Sequence, residues 1–184
     1  MSAPHYACHT GPAIMMVTAH KYDYRRRLPH YQKADRAVFV TFRKSTGEPF
    51  SPAARDLVLE HCLRGNAIKF HLHAAVVMPE HVHLLLTPLR DADSWPYEMA
   101  EILRLIKGAS AHSVNRLLAR HGPVWQEESF DHVLRSNESF EQKLEYIRQN
   151  PVRRGLVIKP EDYRWLWEEK LCPRGAGILA REPD

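Results

Sequence analysis

The chain has 184 residues, 44% hydrophobic and 26% charged, with 26 Lys and Arg against 22 Asp and Glu for a net charge of +4. Those proportions exclude wholesale disorder, collagen and a coiled coil, and at roughly 150 residues per domain the length predicts one compact domain with tails. The mild basic excess permits an anionic partner without requiring one.

No apolar run approaches the roughly 18 residues that a membrane span needs. The weak candidate Ala13 to Ala19 is too short and has no basic flank before it, so neither a signal peptide nor an anchor is expected. Cys8, Cys62 and Cys172 are scattered without C-x-x-C pairing, which argues against a disulfide framework or a cysteine zinc site and for a reducing cytoplasm.

Residues 1–20 lack periodicity and read as an irregular leader, followed by a domain over 21–170 and an irregular tail over 171–184 rich in Pro and Gly. Arg25, Arg26 and Arg27 form a basic segment, most simply a solvated charge run. Ala37 to Arg43, rich in β-branched and aromatic residues, predicts a first strand. Ser51 before Pro52 is an N-cap signal for a helix that Gly65-Asn66 stops after Arg64. Ala67 to Thr87 is strand-like with a break at Pro79-Glu80, which makes a hairpin. From Ser94 to Arg120, Met99, Ile102, Leu103 and Ile106 follow helical spacing, with Gly108 expected to interrupt or kink the helix. Phe130 to Leu134 predicts a fourth strand. A last helix starts at Ser136 or Asn137 and is expected to end at Asn150, because Pro151 disfavours helical geometry in the residue before it. The order is that of an α+β, ferredoxin-like βαββαβ fold: an antiparallel sheet with helices on one face, plus a C-terminal helix that carries Tyr146.

The sharpest chemical signal is His81-Val82-His83. Side chains alternate along a strand, so both imidazoles face one way, about 7 Å apart at roughly 3.3 Å per residue. They can converge on one metal ion, or stand as two histidines on a solvated face. His71-Leu72-His73 repeats the spacing, but no second element nearby obviously completes it, and a packing or DNA-facing role is favoured. On the last helix, Phe140, Leu144 and Ile147 form the apolar stripe, and Tyr146 and Asn150, four apart, share a face beside it. A hydroxyl and an amide oxygen could meet at one external point. Equally, the tyrosine could be half-buried and the asparagine mere helix punctuation.

Taken together, these words resemble the single-tyrosine HUH transposases, and most closely the REP-associated tyrosine transposases of bacteria. The resemblance rests on Arg27-Leu28-Pro29-His30, Val40-Thr41-Phe42-Arg43, Val77-Met78-Pro79, His81-Val82-His83, Lys107-Gly108, Gly122 through Glu127, Phe130-Asp131 and Tyr146 through Val157. It spans about residues 24–167. Glu80 stands where Asn or Asp is expected, at a turn position. The resemblance implies that His81, His83 and Asn150 hold a divalent metal, Mg²⁺ or Mn²⁺; two imidazoles, an amide oxygen and waters suit either ion, though nitrogen ligands alone would suit zinc. It implies that Tyr146 attacks a phosphodiester of single-stranded DNA to give a 5′-phosphotyrosine and a free 3′-hydroxyl, in a reversible exchange that needs no ATP. A free phenol, with a pKa of about 10, is ionised about one part in a thousand at neutral pH, so metal assistance at the phosphate is expected.

The implied partners are single-stranded DNA bearing hairpins, as in repetitive extragenic palindromes, and in some relatives a second copy of the chain. The implied setting is the bacterial cytoplasm, with the nucleoid. Candidate phosphate contacts are Arg25, Arg26, Arg27, Lys69, Arg104, Lys107, Arg153 and Arg154. Trp95, Trp125, Tyr163 and Trp165 could stack on bases, with core packing the commoner fate of such residues. Two alternatives remain: a hairpin-binding module that does not cut, and a metalloprotein acting on a small molecule through His81, His83 and a carboxylate.

Overall fold

The computed structural model describes residues 36–135 and 137–169, with side chains from 139 in the second stretch. The leader, Arg25, Arg26 and Arg27, Cys8, Cys172 and the tail from 170 lie outside the described residues. The elements are β1 (Val38–Lys44), α1 (Pro52–Arg64), β2 (Phe70–Val77), β3 (His81–Pro88), α2 (Met99–Leu117), β4 (Trp125–Val133), α3 (Asn137–Arg153), a 3₁₀ turn (Pro160–Asp162) and β5 (Leu166–Glu168). The strands lie in the order β4-β1-β3-β2-β5, and every neighbouring pair is antiparallel. The α+β fold expected from the sequence is therefore the one adopted, with β5 as an added edge strand.

Alternation along the central strands splits the core into two layers. Val40, Phe42, Leu72, Val82, Leu84 and Leu86 point to one face, where α1 and α2 cover them through Val58, Ile102 and Ile106. Phe39, Ala74, Val76 and Leu85 point to the other face and meet Ile147 of α3. α1 begins as its sequence demands: the Ser51 hydroxyl accepts from Ala54 N–H at 3.3 Å, with Pro52 at the first helical position. Cys62 is fully buried in the first layer, and burial pushes its thiol up to about 12, so it is chemically inert.

Three local expectations are corrected. Gly108 does not interrupt α2, which is continuous from Met99 to Leu117; a glycine inside a helix costs only about 1 kcal/mol, and the amphipathic packing of Ile102, Ile106 and Val114 outweighs it. β4 begins at Trp125, five residues before the expected Phe130, and pairs with β1 across an irregularity between Phe42 and Lys44. α3 does not end at Asn150 but runs through Pro151 to Arg153. Pro151 sits in the last turn, and the stop comes from Gly155 at φ +66, with Gly155 N–H bonded to Val152 O and Leu156 N–H to Pro151 O. That is the six-residue closure of a glycine-terminated helix.

Candidate active site

β3 is the middle strand of the five, and its first residues put His81 and His83 on the face covered by α3. Both imidazoles are buried, with ring centroids 4.7 Å apart. In the β1–β3 pairing Thr41 stands opposite His83 and Arg43 opposite His81. The Thr41 hydroxyl lies 2.7 Å from His83 Nδ1. A proton on Nδ1 donated to Thr41 leaves the Nε2 lone pair free for a ligand, which is how an outer hydrogen bond fixes the tautomer of a metal-binding histidine.

α3 supplies the other two groups from consecutive turns. The Tyr146 ring, half-buried, stands edge-on to His83 at 5.3 Å and edge-on to Phe39 at 5.8 Å, while Phe39 stacks on His83 at 5.4 Å. Asn150, one turn later, is buried with its side chain against His81. Among the described residues, five buried side-chain polar atoms have no hydrogen-bond partner, and three of them are His81 Nδ1, His83 Nε2 and Asn150 Oδ1. A buried polar atom without a partner costs about 1–3 kcal/mol, so three at one spot are a pocket of donors that protein groups leave unsatisfied. Two imidazole nitrogens and an amide oxygen fit a hydrated divalent cation.

The electrostatics keep both imidazoles neutral, so their nitrogen lone pairs carry no proton. Burial, then the charges of Arg43 and Arg154, lower the pKa of His81 from its usual value. Burial, then His81, Arg43 and Lys143, hold His83 down to about 3. Lys143 Nζ lies 5.7 Å from the Tyr146 ring centre and the Arg153 guanidinium 5.8 Å from it. Arg154 reaches Glu80 at 3.3 Å. Cationic side chains therefore surround the tyrosine and the histidine pair.

Of the expected phosphate contacts, Arg153 and Arg154 are at this site. Lys69, Arg104 and Lys107 are not: they lie on or beside α2, which covers the opposite face of the sheet. Lys69 is ion-paired with Glu101 at 2.7 Å, and Lys107 donates to Gln126 O, Glu127 O and Ser129 Oγ. Of the expected stacking residues, Trp125 and Tyr163 are buried in the core, with Trp125 Nε1 donating to Ser110 and the Tyr163 hydroxyl to Val77 O. Trp165 is half-buried under the Arg55 guanidinium, and Trp95 is exposed. Thr41, Arg43 and Lys143 escaped sequence reasoning. Arg43 shares strand parity with Thr41, and Lys143 lies one helical turn before Tyr146, but the β1–β3 register that brings them to the histidines is not local.

His71 and His73 also find the completing group that the sequence did not reveal. Glu169, just after β5, brings its carboxylate to them, and the three ligand atoms lie within 4.8 Å of one another. No helix among the described residues is long and apolar enough to cross a membrane.

The fold and these side chains define an α+β domain of the ferredoxin-like kind, with a histidine pair on its central strand facing a tyrosine and an amide on the covering helix. No protein-family model matches the chain. It is similar to a Haemophilus influenzae protein named among the REP-associated tyrosine transposases, 27% identical over 99 residues, which are 51% of this chain and 56% of that protein. It is similar to the REP-associated tyrosine transposase of Escherichia coli K12, 27% identical over 94 residues, 51% of this chain and 52% of that protein. The matches thus span about half the length of these curated relatives. A solved REP-associated tyrosine transposase bound to a REP hairpin shares the fold, with a TM-score of 0.58 and 23% identity over 79% of this chain and 81% of that one. The resemblance to REP-associated tyrosine transposases is thus shown.

Proposed function

We propose that this chain is a metal-dependent endonuclease and transposase of the single-tyrosine HUH kind, which cleaves and rejoins single-stranded DNA at hairpins through a 5′-phosphotyrosine. The observation that carries the reading is the meeting of three unsatisfied donors, His81 Nδ1, His83 Nε2 and Asn150 Oδ1, beneath the edge of Tyr146. The similarity to proteins named REP-associated tyrosine transposases supports it, as does the hairpin bound to the neighbour of like fold. The domain responsible is the span 21–170.

His81, His83 and Asn150 would hold Mg²⁺ or Mn²⁺. When bound, the cation supplies Lewis-acid polarisation of the scissile phosphate, a contribution of several kcal/mol. The chain's own residues do the rest. Thr41 orients His83, and the neutral imidazoles leave their lone pairs available. Lys143, Arg153 and Arg154 offer positive charge to the phosphodiester backbone and draw it toward the tyrosine. The Tyr146 oxygen attacks phosphorus, the bond from phosphorus to the 3′-oxygen breaks, and the tyrosine proton is accounted for by the 3′-hydroxyl released. One phosphoester replaces another, so the reverse reaction joins a second 3′-end without an energy source.

The test is a labelled single-stranded hairpin, taken from the DNA flanking the gene, incubated with the protein and Mn²⁺ or with chelator. The reading predicts cleaved strand on a denaturing gel only with the metal. Binding without cleavage in either metal would favour the non-cutting hairpin module, and cleavage undiminished in chelator would refute the metal's part.

A further inference from the structure

We propose that His71, His73 and Glu169 form a second divalent-metal site, suited to zinc, that fastens the end of β5 to β2 and thereby seats α3 on the sheet. The pieces come from far apart in sequence and meet by the pairing of β2 with β5. Alternation along β2 puts both histidines on one face, with rings 4.6 Å apart. Glu169 N–H donates to His73 O at 3.0 Å, which holds its carboxylate over that face. There Glu169 Oε2 lies 2.8 Å from His71 Nε2 and 3.9 Å from His73 Nδ1. On its far side, His73 Nε2 lies 2.8 Å from the Thr87 hydroxyl of β3. With the Nε2 proton donated to Thr87, Nδ1 turns its lone pair toward the carboxylate, the same oriented-histidine device that Thr41 provides for His83.

Two imidazoles and one carboxylate make the three-ligand set of a zinc site with a fourth place open to water. His71 and Glu169 side chains are about two-fifths exposed, so an ion has access. The site is separate from the one under Tyr146: His71 pairs with Thr87 and Val76 with His83, which sets them roughly 15 Å apart along the strand.

The position gives the ion mechanical consequence. β5 is three residues long, and Glu168, next to Glu169, clamps Arg148 of α3 with bonds of 2.9 and 2.7 Å. Phe140, in the first turn of the same helix, stands edge-on to His73 at 4.9 Å. An ion between β2 and Glu169 therefore ties together two of the contacts that hold the tyrosine-bearing helix.

The test is calorimetric titration of Zn²⁺ into the full chain, stripped of metal, in a His81→Ala/His83→Ala background that removes the other site. One zinc per chain is expected, with an affinity at least about tenfold lower after Glu169→Gln or His71→Ala and about tenfold lower after Thr87→Val. Cobalt in place of zinc should give the visible absorption of a low-coordinate nitrogen and oxygen shell, lost in Glu169→Gln. A chain that far-ultraviolet circular dichroism shows to be folded, yet that takes up no zinc, overturns the proposal. So does zinc held as tightly after Glu169→Gln and His71→Ala as before.

Discussion

Replacing Asn150 by Leu separates a functional amide from a structural one, because the two roles predict opposite signs. Asn150 is buried at the start of the last turn of α3, and its Oδ1 meets no donor. Without metal, that oxygen is desolvated at a cost of about 1–3 kcal/mol. Leucine has nearly the same branching and volume, removes the stranded oxygen and is the better helix former by about 0.5 kcal/mol. Allowing about 1 kcal/mol for contacts of the amide nitrogen, the net gain is about 0.5–2.5 kcal/mol. At about 2–4 °C per kcal/mol for a chain of this size, the metal-free protein should melt about 1–10 °C higher. The same change removes one of the three proposed ligands, so the rise in melting temperature expected of the wild type in Mn²⁺ should vanish. Melts in chelator and in Mn²⁺ read both effects at once. A variant that melts several degrees lower in chelator, or that keeps the full response to Mn²⁺, would refute the argument that Asn150 is held in the fold for a ligand.

Two further outcomes follow from the same geometry. Thr41→Val keeps the β-branched shape in β1 but leaves His83 Nδ1 without its partner, so Mn²⁺ affinity should fall about tenfold or more by calorimetry while the fold survives. The metal-free protein should also lose stability as pH falls below 6.5. Unfolded histidines take up protons near that value, whereas in the fold His73 and His83 are held down to about 4 and about 3, mainly by burial. The unfolded state then binds more protons between those limits, so the contribution is whole above pH 6.5 and declines by up to about 1.4 kcal/mol per pH unit for each group. Chelator melts between pH 7 and 5 should slope downward, and His73→Gln should flatten the slope; a level profile would contradict it.

What the sequence made legible was local. The period-2 alternation that puts His81 and His83 on one face, the Ser51-Pro52 start of α1 and the shared face of Tyr146 and Asn150 need only neighbours a few residues away, and all are found in the structure. The partners of those residues were not legible. Thr41 meets His83 only because β1 and β3 pair in one register, and Glu169 meets His71 and His73 across nearly a hundred residues. β5 is too short for any alternation to announce it. α3 outlasts its expected end because Gly155, not Pro151, stops it. A proline in the last turn forfeits little, while a glycine free to take a positive φ closes the helix. That difference of one turn keeps Arg153 on the helix and near Tyr146.

The most direct measurement of the central claim is to map the covalent link. The protein is incubated with a suicide hairpin of single-stranded DNA and Mn²⁺, digested with protease and nuclease, and its peptides are read by tandem mass spectrometry. The account predicts a nucleotide 5′-phosphate on Tyr146 and no adduct in Tyr146→Phe, which should still bind the hairpin. An adduct on another residue, or cleavage by Tyr146→Phe at the wild-type rate, would contradict it.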